Sequence, residues 1–231
     1  MTFPRLLFLG DSITVGWALR GNDKDNATQC NIDEDHSEAW GPRLSQLLQA
    51  EFHSIAWSGI GLLRGDPYPS GGTPLNRSIP MLMTQTLANE PDSVWDSSLW
   101  PVSAVVIHIG TNDFCPKFAH LDRKVFVEAY LKLLLQVKKE QRPHGGTLDV
   151  FSACGPMGTP GDPEYGHPYF SCDVLQEVVE QAGDGLRVHV LDFSGLYIDR
   201  KNIGGCDHPG VLGHAAMAEI ARPVVEAAIG W

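Results

Sequence analysis

The stretch Arg5-Leu6-Leu7-Phe8-Leu9-Gly10-Asp11-Ser12-Ile13-Thr14 sets a short apolar run directly against a glycine and two polar residues. A run of this length that stops at glycine reads as a buried strand over Arg5–Leu9. Asp and Ser are favoured helix N-caps, so the segment spells strand, turn and the start of a helix. Four further stretches follow the same grammar. Phe52–Trp57 closes on Ser58-Gly59-Ile60-Gly61 and Val102–Ile109 on Gly110, while Thr147–Ala153 and Arg187–Leu191 also stop where small or polar residues begin. Between them, helical spacing runs over Ala39–Phe52, Asp122–Glu140, Cys172–Ala182 and Val211–Ile229. In Asp122–Glu140 the residues Val125, Ala129, Leu133 and Val137 form one stripe beside Leu134. Strands alternating with helices predict an α/β protein, a parallel sheet covered on both faces. The length suits one domain over residues 1–231.

The bulk numbers narrow the function. Seventeen basic and 28 acidic residues give a net charge of −11, which disfavours nucleic acid or an anionic membrane as partner, since both need a basic face. A neutral substrate is favoured over an anionic one. No apolar run approaches the ~20 residues of a membrane helix. Leu6–Leu9 is too short for the core of a signal peptide, so the chain is expected to be cytosolic or a mature form. The five cysteines contain no C-x-x-C pair, which leaves a structural zinc site without support. Cys154–Cys172 and Cys30–Cys206 are conceivable bridges, and five buried thiols are an equal alternative. The long polar or Pro- and Gly-rich loops 21–37, 65–73 and 155–168 are of a length that usually carries function.

Chemistry collects where the strands end. Ser12, at a strand–helix junction, would present its hydroxyl near helical N–H dipoles, although a serine or aspartate there can also be a plain cap. In Gly110-Thr111-Asn112-Asp113, Asn112 can aim its amide N–H at a developing oxyanion, or it can simply close an Asx-turn. Gly59-Ile60-Gly61 lets the backbone approach a ligand. It is no dinucleotide loop, because Arg64 stands where G-x-G-x-x-G needs its third glycine. His208, ahead of the last helix, can supply a general base, while His214 reads as an ordinary surface histidine.

Taken in order, Gly10-Asp11-Ser12, Gly59-Ile60-Gly61, Gly110-Thr111-Asn112-Asp113 and Asp207-His208-Pro209 resemble the SGNH hydrolases, also called the GDSL esterase/lipase superfamily. The resemblance implies a flavodoxin-like three-layer α/β/α sandwich with a five-stranded parallel sheet of order 2-1-3-4-5, and neither metal nor cofactor. It implies Ser12 as nucleophile, His208 as base, and an oxyanion hole made by the Ser12 N–H, Asn112 and the N–H of Gly61, or of Gly59. Asp11 is implied near the substrate. The family usually places an aspartate three residues before the histidine, where this chain has Gly205. The expectation is therefore a Ser–His dyad steered by a backbone carbonyl near Gly205 or Cys206, with Asp207 as the other choice.

That departure makes the chain look like carbohydrate esterase family 2, whose members deacetylate sugars and commonly lack the third triad residue. They usually carry an N-terminal jelly roll, which is not expected in this chain, whose first strand begins by Arg5. Tyr165 and Tyr169 are candidates to line the pocket, since aromatic faces suit sugar rings. The expected activity is that of a serine esterase hydrolysing small acyl esters of carbohydrates, acetyl foremost, through an acyl-enzyme on Ser12, with a small-molecule or carbohydrate ester as substrate. Lipid or aryl esters, or a catalytically dead binding domain of the same fold, are the alternatives.

Overall fold

In a computed structural model, residues 3–22, 27–63, 77–115, 121–157, 170 and 172–230 are described. Five parallel strands form one sheet of order β2-β1-β3-β4-β5, the order that the family resemblance implies. They are β1 (Arg5–Gly10), β2 (Glu51–Ala56), β3 (Ala104–His108), β4 (Leu148–Cys154) and β5 (Leu186–Asp192). The three central strands, β1, β3 and β4, are buried almost throughout, whereas β2, at the sheet edge, leaves its first half exposed. Central strands covered on both faces are largely apolar on both, so β1 and β3 read as hydrophobic runs, while β4 also buries Asp149 and Ser152.

Strand alternation divides the core in two. Leu7, Leu9, Val105, Ile107 and Val150 face helices α5 (Arg123–Gln141) and α6 (Cys172–Gln181). Leu6, Phe8, Val106, Phe151 and Ala153 face α3 (Trp40–Leu47) and α7 (Val211–Ile229). Helices on both sides complete the three layers. Shorter helices α1 (Ser12–Val15), α2 (Ala27–Ile32) and α4 (Ile79–Leu82) punctuate the connections.

Four readings of the sequence need correction. The helix expected over Ala39–Phe52 stops at Leu47, because Gln49 turns left-handed (φ 51°) and Glu51 pairs with Arg5 in the sheet. Pairing with β1 claims the residues that helical spacing had assigned to α3. On α5 the buried stripe runs through Phe126, Tyr130, Leu133, Leu134 and Val137, leaving Val125 half exposed. The polar loop 21–37 contains α2 and a 3-10 turn at His36–Glu38. His214 is fully buried, and its Nδ1 accepts the Trp40 N–H at 3.1 Å.

Both conceivable bridges form, Cys30–Cys206 and Cys154–Cys172, with Cys115 outside them. Among the described residues no helix is long and apolar enough to cross a membrane.

Candidate active site

Gly10 ends β1 because nothing larger fits. A Cβ on it would stand 2.0 Å from the Thr14 Oγ1. Asp11 follows in extended conformation and caps α1, its Oδ1 accepting the Ile13 N–H at 3.0 Å. Ser12 is thereby the first residue of the helix, 5% exposed at the carboxyl edge of the sheet. Asp11, expected near the substrate, is wholly buried, with its Oδ1 engaged by the helix it caps. Burial drives its carboxyl up to about 7, with the Asp113 carboxylate adding in the same direction.

The structure brings His208 to Ser12. Its Nε2 lies 2.7 Å from the Ser12 Oγ, across 196 residues of sequence. The Nδ1 lies 2.8 Å from the Cys206 carbonyl, so that nitrogen carries the proton and Nε2 is left to accept from the serine hydroxyl. Only 7% of His208 is exposed, and this burial lowers its pKa to about 4, the Cys206 bond opposing the shift. Trp17 closes one side of the ring, edge-on at 4.6 Å between centroids, and its indole N–H donates to the Asn31 Oδ1 at 2.6 Å.

Asp207 is set aside as the orienting group. The ring nitrogen it would steer belongs to the Cys206 carbonyl, and Asp207 points to solvent while its own carbonyl accepts from the Tyr197 hydroxyl. Asp207 does hold a left-handed backbone (φ 61°), a conformation in which Asp is enriched several-fold over most residues. Asp207→Ala is therefore expected to lower turnover by less than about tenfold, through the backbone alone. Steady-state kinetics check this, and a loss as large as that of a His208 substitution would return Asp207 to the ring.

The other two motif loops, which follow the strands on either side of β1, meet each other. The Asn112 Nδ2 donates to the Ile60 carbonyl at 2.7 Å, which occupies one of its two N–H groups and leaves the second for another acceptor. Asp113, fully buried, accepts the Leu62 N–H at 2.7 Å and the Leu63 N–H at 2.8 Å on its two oxygens. The third motif thus grips the glycine loop from below at three points. Gly59 turns it with φ 80°, and the Gly61 carbonyl accepts the Ile79 N–H at 3.1 Å. The Asn112 side chain thus reaches across to the glycine loop, where the plainer reading of its motif has it closing a local Asx-turn.

Tyr165 and Tyr169 lie outside the described residues. Among those described, one cluster has metal-ligand spacing, Cys154, Cys172 and Asp192, and its two sulfurs are bonded to each other. Sequence reasoning gave Asp113 no role as a latch and did not connect Tyr197 with the histidine loop. An isolated tyrosine carries no signal of that kind. Asp113 stands in the polar turn after β3, where nothing in the sequence distinguishes a buried latch from a solvated turn residue.

Fold and site together define a class: flavodoxin-like α/β/α proteins with a serine–imidazole pair on the carboxyl edge of the sheet. The chain belongs to the GDSL-like lipase/acylhydrolase family, whose profile matches residues 8–216. It is 31% identical over 235 residues to the cellulase/esterase CelE of Acetivibrio thermocellus, covering 98% of this chain and 26% of CelE. An acetylxylan esterase/glucomannan deacetylase of Cellvibrio japonicus is 32% identical over 108 residues, 46% of this chain and 29% of that protein. A solved carbohydrate esterase family 2 enzyme with its carbohydrate-binding domain, from Myceliophthora fergusii, superposes with a TM-score of 0.80 at 26% identity, covering 99% of this chain and 67% of that one. For a family two carbohydrate esterase from Clostridium thermocellum in complex with cellohexaose the values are 0.79, 27%, 99% and 65%. The chain spans just over a quarter of the length of these curated relatives and about two thirds of the solved chains.

Proposed function

We propose that the chain is a serine esterase that removes a small acyl group, acetyl first of all, from a carbohydrate, working as one catalytic unit. The observation that carries this reading is the hydrogen-bonded series Ser12 Oγ, His208 Nε2, His208 Nδ1, Cys206 carbonyl, with distances of 2.7 and 2.8 Å at the two ring nitrogens. The acyl and sugar preference is supported by the names of the relatives, esterases of acetylated polysaccharides among them.

In this mechanism the Ser12 oxygen bonds to the ester carbonyl carbon as its proton passes to the His208 Nε2. The resulting imidazolium is held by its Nδ1–H on the Cys206 carbonyl. Negative charge gathers on the former carbonyl oxygen, which takes hydrogen bonds from the Ser12 N–H, the Gly61 N–H (Gly59 being the second choice) and the remaining Asn112 N–H. Collapse breaks the bond to the sugar oxygen, and His208 returns its proton to that leaving group. Water, deprotonated by the same ring, then releases the acid and restores Ser12.

The base must be neutral to act. Burial disfavours the imidazolium and puts His208 at about 4, so it stays neutral above that pH and is lost as pH falls through it. The acid limb of kcat/KM is expected near that value, and a limb at the ordinary 6.5 would mean a hydrated ring.

The direct test combines a serine-directed phosphonate with a pair of nitrophenyl esters, acetyl and octanoyl. Ser12 should be labelled in the folded protein, and the acetyl ester should turn over faster. An unmodified Ser12 overturns the nucleophile. Equal or faster turnover of octanoate overturns the acetyl preference and favours lipid or aryl esters.

A further inference from the structure

We propose that Tyr197 and the Cys30–Cys206 bridge are positioning residues for His208, holding in place the strained backbone whose carbonyl steers the imidazole. The inference rests on the serine-esterase reading above and says what substitutes for the missing aspartate.

A carboxylate orienter is aimed by its own side-chain torsions. The Cys206 carbonyl has none, so its direction is fixed by the backbone on either side of it. That backbone is unusual. Cys206 and Asp207 are consecutive, neither is glycine, and both are left-handed, with φ 48° and 61°. A residue bearing a Cβ resists this conformation, and such residues persist where the surroundings over-determine them. Relaxation of either residue toward an extended conformation would rotate the peptide between them and carry the Cys206 oxygen away from the His208 Nδ1.

Each of the two is restrained by a separate device. The Cys206 side chain is tied through sulfur to Cys30 in α2. The Asp207 carbonyl takes the hydroxyl of Tyr197 at 2.6 Å, from a tyrosine that is only 4% exposed. The flanks are held as well. The Gly205 N–H donates to the Ala18 carbonyl at 3.0 Å and the Gly204 N–H to the His208 carbonyl at 2.7 Å.

Helix α2 reaches the imidazole by a second route. Asn31, next to Cys30, accepts the Trp17 indole N–H, and the Trp17 ring lies edge-on to His208. Neighbouring residues of one six-residue helix therefore brace both the carbonyl behind the ring and the aromatic wall beside it. A bridge needed only for stability would have no reason to end on the residue that supplies the orienting carbonyl.

The test uses Tyr197→Phe and Cys30→Ala in the full chain, with kcat and KM on an acetyl ester and the His208 Nδ1–H proton resonance as readouts. Tyr197→Phe keeps the buried ring and removes one hydrogen bond, so kcat should fall about 3- to 10-fold with KM unchanged. Cys30→Ala frees the Cys206 torsions and should lower kcat about 10- to 100-fold, again at constant KM. In both, the Nδ1–H resonance should move upfield as its acceptor drifts. If kcat and the resonance stay at parental values in folded variants, the clamp is purely structural and the proposal falls. Should Cys30→Ala fail to fold, Tyr197→Phe decides alone. A parallel Ser12→Ala separates the two claims: hydrolysis that survives it overturns the serine-esterase reading itself, whereas Ser12-dependent hydrolysis indifferent to the clamp overturns only the positioning role.

Discussion

His208→Ala is expected to lower kcat on an acetyl ester by about 10⁴- to 10⁶-fold, with KM nearly unchanged. The imidazole is the sole described base within hydrogen-bonding reach of the Ser12 hydroxyl, at 2.7 Å. Without it the serine must attack as a neutral alcohol, and the alcohol oxygen of the ester must depart without a proton. Both chemical steps lose the same group, so a single substitution removes two contributions. Binding is affected little, because a buried ring set behind the nucleophile touches the substrate only where bonds change. Activity above the uncatalysed rate should survive, since the oxyanion donors remain. Ser12→Ala should give a loss of similar size, and the double variant should lose little more, because the two act as a unit. Additive losses would mean that serine and histidine serve separate functions.

The second large effect is at Asn112. Asn112→Ala should cost about 100- to 1000-fold in kcat, the usual consequence of removing one oxyanion donor. The same change leaves the Ile60 carbonyl without its partner at a buried position, so the glycine loop should also loosen. Asn112→Asp divides these contributions. An ionised carboxylate has the shape of the amide but donates nothing, and it would face both the Ile60 carbonyl and the forming oxyanion with negative charge. Its kcat should fall below that of the alanine variant. If Asn112→Asp retains parental turnover, Asn112 gives no hydrogen bond to the oxyanion.

Much of this architecture was legible because parallel α/β sheets write simple signals. Buried central strands appear as mainly apolar runs, interrupted in β4 by Asp149 and Ser152, and each is followed by a glycine or polar residue where the chain must turn. The edge strand β2 was harder. Its exposed half carries no such run, and Leu44, Leu47 and Leu48 extend a helical rhythm toward it, so helical spacing runs on over its first residues. The α5 stripe was displaced by one position because Phe126 and Tyr130 bury on the sheet while Val125 does not. At the site, Ser12, the glycines, Asn112 and His208 each follow a strand or open a helix, and spacing alone gathers them on one edge. The clamp around His208 was illegible for a different reason. Cys30–Cys206 is a conceivable bridge from the sequence and a carbonyl near Cys206 a conceivable orienter, but their union with Tyr197 depends on a fold that must exist before the three are neighbours.

The Cys30–Cys206 bond, closing across 176 residues, also bears on how the molecule should be made. A cell that keeps its thiols reduced would release a chain with an open dithiol on both pairs, and such bonds ordinarily persist only where the milieu is oxidising. Material from a reducing cytosol would then mix competent and slack molecules, and its specific activity would rise on air or glutathione-disulfide treatment. Export to an oxidising compartment should yield a uniform preparation from the outset.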